Sequence, residues 1–169
     1  MSFPDGKFDA TLPLPSTTTL GLAYKLNDKL LVSAEGSFVQ WSTYESLDFD
    51  FETNTDQLED SKNARNYENA MIFRLGTQYS PNEDLDFRAG FYYDQTPIQD
   101  DYFNPETPNS DNIGITTGMS GHIGEHFGFD VSLLYIIGTE RESEYVPAGF
   151  GGKYASRSVI TGVGLNYTF

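Results

Sequence analysis

The stretch Phe127–Gly138, FGFDVSLLYIIG, sets Phe127, Phe129, Val131, Leu133, Tyr135 and Ile137 against Gly128, Asp130, Ser132, Leu134, Ile136 and Gly138. Side chains on a strand point alternately to its two faces, so this period of two predicts a strand with one bulky apolar face and one smaller, more polar face. Arg157–Phe169 repeats the design, with Val159, Val163, Leu165, Tyr167 and Phe169 against Ser158, Gly162, Gly164, Asn166 and Thr168. Moving upstream, Asn112–Ile123 sets Ile113, Ile115, Met119 and Ile123 against polar or small residues. Leu85–Asp94 does so with Leu85, Phe87, Ala89, Phe91 and Tyr93, and a segment from Tyr67 to Tyr79 with Met71, Phe73 and Leu75. Two further strands are expected, one from about Lys7 to Leu26 and one over Leu30–Tyr44, whose phase blurs at Val39-Gln40-Trp41 as it would at a bulge.

The connections alternate in length. Asn27-Asp28, Pro81–Asp84 and Gly124–His126 have the composition of tight turns, whereas 45–66, 95–111 and 139–153 are long and polar. Short turns at one end and long loops at the other predict an all-β, antiparallel up-and-down transmembrane β-barrel. A soluble lipocalin-like barrel would bury the apolar face and wet the polar one, but a face holding Glu68, Arg74, Asp86, Arg88 and Asp130 is far cheaper as a watery lumen than as a dry core. Aromatics near the strand ends fit interfacial girdles: Tyr24, Tyr79, Phe87, Phe127, Tyr167 and Phe169 by the short turns, and Trp41, Tyr44, Tyr67, Tyr93, Tyr135 and Tyr154 by the long loops. Seven strands are an odd number, and an open sheet leaves unpaired backbone in lipid. MSFPDGKFDATLPLP also lacks a basic region followed by an apolar one, so a piece of a longer chain is expected.

Composition agrees. A net charge of −15 and a mean hydropathy of −0.44 coexist with 15% aromatic residues and 16 glycines, which suits strands and turns. No run approaches the ~18 apolar residues of a membrane helix. With 25 acidic against 10 basic residues, nucleic acid is not an expected partner. The absence of cysteine removes disulfides and thiolate metal sites.

The stretches LPLPSTTTLGLAYKLNDKLLVSAEGSFVQWSTYES (12–46), FRLGTQYSPNEDLDFRAGFYYDQTPI (73–98) and the closing VGLNYTF resemble the C-terminal half of the FadL/TodX family of outer-membrane transporters of hydrophobic compounds. The most specific matches are Leu-Gly-x-x-Tyr before a turn and Tyr93-Asp94-Gln95-Thr96-Pro97 after an Arg-Ala-Gly-Phe strand. The resemblance implies that residues 1–169 supply seven strands, about half of a fourteen-stranded barrel, with the N-terminal hatch, the first strands and the lateral exit absent. It implies passive uptake of long-chain fatty acids or other hydrophobic small molecules across the bacterial outer membrane, without cofactors, by a monomer in contact with lipid and lipopolysaccharide. Asn112 stands where family members often carry Arg, and loop 47–66 is longer and more acidic than the family pattern.

Candidate site residues follow. Glu35, Glu68, Arg74, Asp86, Arg88 and Asp130 are the lumen candidates, either for a substrate carboxylate or for cross-strand pairing, the commoner use of mixed charges. Asp48, Asp50 and Glu52 share one face of an extended loop and offer oxygens to a surface cation; a solvated loop is the plainer reading. Segments 45–66, 94–111 and 139–153 carry net charges of −5, −5 and −1, so the acid is concentrated outside, where calcium or magnesium can bridge to lipopolysaccharide. No catalytic residue is expected: GMSGH (118–122) has His122 where a nucleophile elbow needs Gly, and His122 and His126 lack a carboxylate at ligand spacing. An adhesin or surface receptor acting through the acidic loops is the rival reading.

Overall fold

The computed structural model describes residues 6–55, 58–103, 109–146 and 149–169. Among the described residues ten strands form, in the order β1 (Phe8–Thr11), β2 (Thr17–Asn27), β3 (Leu30–Val39), β4 (Ser46–Phe51), β5 (Ser61–Ala64), β6 (Ala70–Asn82), β7 (Leu85–Asp94), β8 (Asn112–Ile123), β9 (Phe127–Tyr145) and β10 (Phe150–Tyr167). Seven of them make one antiparallel sheet in the order β10-β9-β8-β7-β6-β3-β2, an up-and-down meander of sequence neighbours interrupted only by β4 and β5. No helix among the described residues is long and apolar enough to cross a membrane.

Register decides which side chains share a face, because directly paired residues of an antiparallel ladder point the same way. One row runs Tyr24, Val32, Thr77, Ala89, Thr117, Leu133, Thr161 across the sheet, and the row two residues away runs Leu22, Ala34, Leu75, Phe91, Ile115, Tyr135, Val159. The apolar phases of all seven strands therefore merge into one face. Leu22 is 75% exposed and Val163 76%, so this apolar face has no covering among the described residues. Tyr24, Leu75, Phe87, Val131, Leu133, Leu165 and Tyr167 all lie on it. The opposite face curls into a trough of about 870 Å³.

Four expectations are corrected. The long first strand is broken: Pro13 and Pro15 lack the N–H that a ladder needs, so β1 ends at Thr11 and pairs instead with β4 in a separate three-stranded sheet, β1-β4-β5. The blurred phase at Val39-Gln40-Trp41 is the end of β3, where a 3-10 turn over Trp41–Thr43 begins, and not a bulge. Loop 45–66 contains the β4–β5 hairpin. Segment 139–153 is largely strand as well: β9 and β10 run on to Tyr145 and from Phe150, beyond Gly138 where β8 stops pairing.

That extension contains the irregularity of most consequence. Tyr154 pairs with Arg141 but Ser156 with Gly138, so Thr139 and Glu140 together oppose Ala155. This bulge inverts the phase of β9. Odd-numbered residues, which face the apolar side as far as Ile137, turn inward from Arg141 onward, and Arg141 and Ser143 become the less exposed members of their alternation.

Candidate functional site

The trough carries two unlike regions. In its middle, charges from neighbouring strands meet. The Arg74 guanidinium pairs with Glu35 and donates to Ser37 Oγ at 3.3 Å, while Ser37 and Thr19 share a hydrogen bond of 2.9 Å. Arg88 is held on three sides, donating to Gln78 Oε1 at 2.9 Å, Ser120 Oγ at 2.6 Å and Asp86 Oδ2 at 3.0 Å. Asp86 also accepts from Gln78 Nε2 at 3.1 Å and from the Ser80 hydroxyl. These pairs are open to solvent on one side, which limits each to about 0–1 kcal/mol.

Five of the six lumen candidates, Glu35, Arg74, Asp86, Arg88 and Asp130, thus share one face. The first four are tied to one another or to polar neighbours across strands, and Asp130 lies opposite Ser120 and Gly164. Glu68 is the exception. It precedes β6, is exposed, and donates its backbone N–H to Pro97 O at 2.8 Å, because the strand begins only at Ala70.

Toward the long loops the same face becomes apolar. Val39 and Ala70 pair across β3 and β6, Ile72 follows, and Leu134 pairs with Ile160 beside Ile136. Above them lies a cleft of about 400 Å³ walled by Val39, Trp41, Tyr67, Ala70, Ile72, Pro97 and Ile98, with Asp94, Gln95 and Asn109 as its polar members. Trp41, Tyr44 and Tyr67 pack edge to face or tilted, with ring centroids 5.1 to 6.5 Å apart. These three and Tyr154 were expected in a lipid-facing girdle. Trp41 and Tyr67 instead wall the cleft, Tyr44 is buried against Tyr67, and Tyr154 packs at a tilt on Phe103 with ring centroids 4.3 Å apart. The girdle by the short turns agrees better, since Tyr24, Tyr79, Phe87, Phe127 and Tyr167 lie exposed on the apolar face.

The cleft's roof is segment 95–103, held by Arg141. Its Nε and Nη2 each lie 2.8 Å from Asp100 Oδ1; Nη2 also donates to Ile98 O, and Nη1 to Asn109 O at 3.2 Å. Its guanidinium carbon sits 5.2 Å from the Phe103 ring centre, and Phe103 is 1% exposed. Hydrogen bonds from Arg141 and from Ser143 Oγ at 3.0 Å hold the Asp100 carboxyl below its usual range. Gln99 Nε2 reaches Asn66 O at 2.6 Å, Gln95 Oε1 accepts from Met71 N, and Thr96 N donates to Asp111 Oδ1 at 2.9 Å, so the roof is stitched to both adjoining loops. Neither Arg141 nor Asp94 is among the candidate site residues of the sequence, Asp94 entering only within the Tyr93–Pro97 motif. The first stands in the lipid-facing phase of its strand and is re-aimed only by the bulge; the second ends a strand with nothing to mark what lies beside it.

Asp48 and Asp50 share one face of β4. Asp48 is opposite Thr11 and Lys62, Asp50 is opposite Asp9, and Glu52 lies past the end of β4. Among the described residues no group of three His, Cys, Asp or Glu side chains is arranged to hold a metal ion.

Residues 5–169 match the family described as outer membrane protein transport protein (OMPP1/FadL/TodX). Outer membrane protein P1 of Haemophilus influenzae is 26% identical over 178 residues, covering 96% of this chain and 37% of that protein. The long-chain fatty acid transport protein of Escherichia coli is 22% identical over 180 residues, with 100% and 39% covered. The fold is similar to a crystal structure of a Pseudomonas aeruginosa FadL homologue, with TM-score 0.81, 21% identity, and 95% of this chain and 37% of that one covered. It is also similar to the Pseudomonas putida toluene transporter TodX, with TM-score 0.64, 22% identity, and 96% and 36% covered. The chain spans well under half of each of these proteins, and an exposed apolar face such as its own is what the outer wall of a transmembrane barrel presents to lipid. The chain belongs to the OMPP1/FadL/TodX family of bacterial outer-membrane transport proteins.

Proposed function

We propose that this chain is the C-terminal half of a channel for passive uptake of long-chain fatty acids or other hydrophobic small molecules across the outer membrane. The hatch and first strands would lie elsewhere in a longer protein that works as a monomer. One observation carries the reading: a lipid-facing wall whose inner side passes from a charged middle to an apolar cleft under the long loops. An apolar solute leaving water gains free energy in proportion to the area it buries, so such a cleft captures cargo without energy input. The charged middle reads as cross-strand pairing that holds the wall rigid and wet, because its guanidinium groups are already engaged. The acidic outer segments would meet lipopolysaccharide through bridging divalent cations.

Cells with and without the full-length gene, given radiolabelled oleate and radiolabelled toluene, test this. Uptake of either that depends on the gene and is insensitive to dissipation of the membrane potential is the expected result. Surface binding of host or cell components without uptake would return the protein to the adhesin reading.

A further inference from the structure

Arg141 stands where two cavities meet. Its Nη2 donates to the carbonyl of Ile98, a wall residue of the 400 Å³ cleft, and its guanidinium lies over Phe103, which borders a second cavity of about 310 Å³. Its Nη1 donates to Asn109 O at 3.2 Å, and Asn109 lines both cavities. The Arg141 side chain is 14% exposed, whereas that of its counter-ion Asp100 is 76% exposed. A largely buried cation is therefore held by a carboxylate that reaches it from the water side.

That carboxylate uses the site incompletely. Nε and Nη2 form the edge of a guanidinium that can take both oxygens of a carboxylate in parallel, yet here both lie 2.8 Å from the single oxygen Oδ1, to which Ser143 Oγ also donates at 3.0 Å. Asp100 Oδ2 accepts no hydrogen bond among the described residues. A ligand carboxylate would meet the same three donors, and Asp100 can leave by turning into the water beside it. Because one anion replaces another, Arg141 is never left buried without a partner. The tether is what favours Asp100. It acts as an effective concentration on the order of millimolar, so a micromolar ligand starts about a thousandfold behind. Each methylene buried on the apolar walls recovers about fourfold, so roughly five of them offset the tether. Resting on the transport reading above, we propose that Asp100 is a built-in stand-in for a cargo carboxylate at Arg141, and that a carboxylate carrying a long apolar chain displaces it and loosens the roof, segment 95–103.

Hydrogen exchange over 95–103 in the full-length protein tests this with three probes: oleate, oleyl alcohol as the same chain without the charge, and acetate as the charge without the chain. Oleate should accelerate exchange about fivefold or more, the loss of one charged contact, while the other two at the same concentration should not. No acceleration by oleate, equal acceleration by oleyl alcohol or acetate, or acceleration that extends to β6 to β8 would overturn the proposal. In Asp100→Asn the internal competitor is gone. Radiolabelled oleate should then bind severalfold tighter than to the wild type, and radiolabelled oleyl alcohol no differently. An unmoved oleate affinity, or equal tightening of both ligands as from a merely loosened roof, would also end the proposal. Asp100 is exposed and lies outside the strands, so the substitution should fold; if it does not, the wild-type exchange decides. Uptake in cells is measured in parallel. Gene-dependent uptake without the oleate-specific acceleration removes the latch and leaves the transport reading standing, whereas that acceleration without any uptake removes the transport reading and leaves the latch.

Discussion

Leu133 and Ser132 are neighbours on β9 and face opposite worlds, Leu133 paired with Thr117 and Thr161 on the lipid side, Ser132 with Gly118 and Gly162 in the trough. In the full-length protein Leu133→Arg should cost roughly 2–4 kcal/mol, because the guanidinium must enter hydrocarbon or draw water into it. Ser132→Arg enters an aqueous trough and should be tolerated far better. Urea-unfolding midpoints in liposomes make the comparison, and a larger loss at Ser132 would mean the wall is inside out. Gly114 supplies a second residue-scale case. The Tyr92 ring lies across it from the neighbouring strand, in the space a Cβ would need. Gly114→Ala should therefore destabilise by roughly 1–3 kcal/mol through overpacking. Most of that loss should vanish when Tyr92→Ala is added. A double-mutant cycle with no coupling would show that Tyr92 does not lie there.

At the scale of elements, the bulge in β9 and the roof over the cleft form one device. A bilayer crossing takes about 9–11 tilted residues, and β9 has 19, so its far end stands clear of hydrocarbon with Arg141 turned inward. Arg141→Ala removes the contacts to Asp100, Ile98 and Asn109 together. Hydrogen exchange over 95–103 should accelerate by an amount equivalent to about 1–2 kcal/mol, a modest figure because Asp100 is largely solvent-exposed. Exchange in β6 to β8 should not change; if it does, the roof and the sheet open as one unit. The pH dependence has a definite sign. The Asp100 carboxyl is held below its ordinary value of 3.8, so its contribution is fully present above that value and disappears as pH falls through the lower, folded one. Protease sensitivity of 95–103 should be flat from neutrality to about pH 4 and rise only in stronger acid. A rise near pH 6 would implicate a different group.

For the whole molecule, the decisive feature is that β2 and β10 each have a single partner strand among the described residues. In hydrocarbon every unpaired backbone donor or acceptor costs several kcal/mol, and two long edges expose a row of them. Residues 1–169 produced alone should therefore not give a heat-modifiable, protease-resistant monomer in detergent, whereas the full-length protein should. A stable monomer from this segment with oleate bound would contradict the half-barrel arrangement.

Alternation of side chains by itself determined the strands of the seven-stranded sheet, the grouping of their apolar residues on one face and the placement of Glu35, Arg74, Asp86, Arg88 and Asp130 on the other, because a period of two is a local consequence of the extended backbone. The turn positions were legible from their residue types. What the loops do was not. Whether Trp41 and Tyr67 meet lipid or line a cleft depends on where β3 ends and β6 begins, and Glu68 was misplaced by the same uncertainty. Arg141 reads from its phase as lipid-facing, and only a bulge defined by pairing with β10 turns it toward Asp100, a residue 41 positions away in the chain. Pairing across such separations is set by tertiary packing, which no local periodicity encodes, and so the wall could be read from the sequence while the cleft beneath its roof needed the structure.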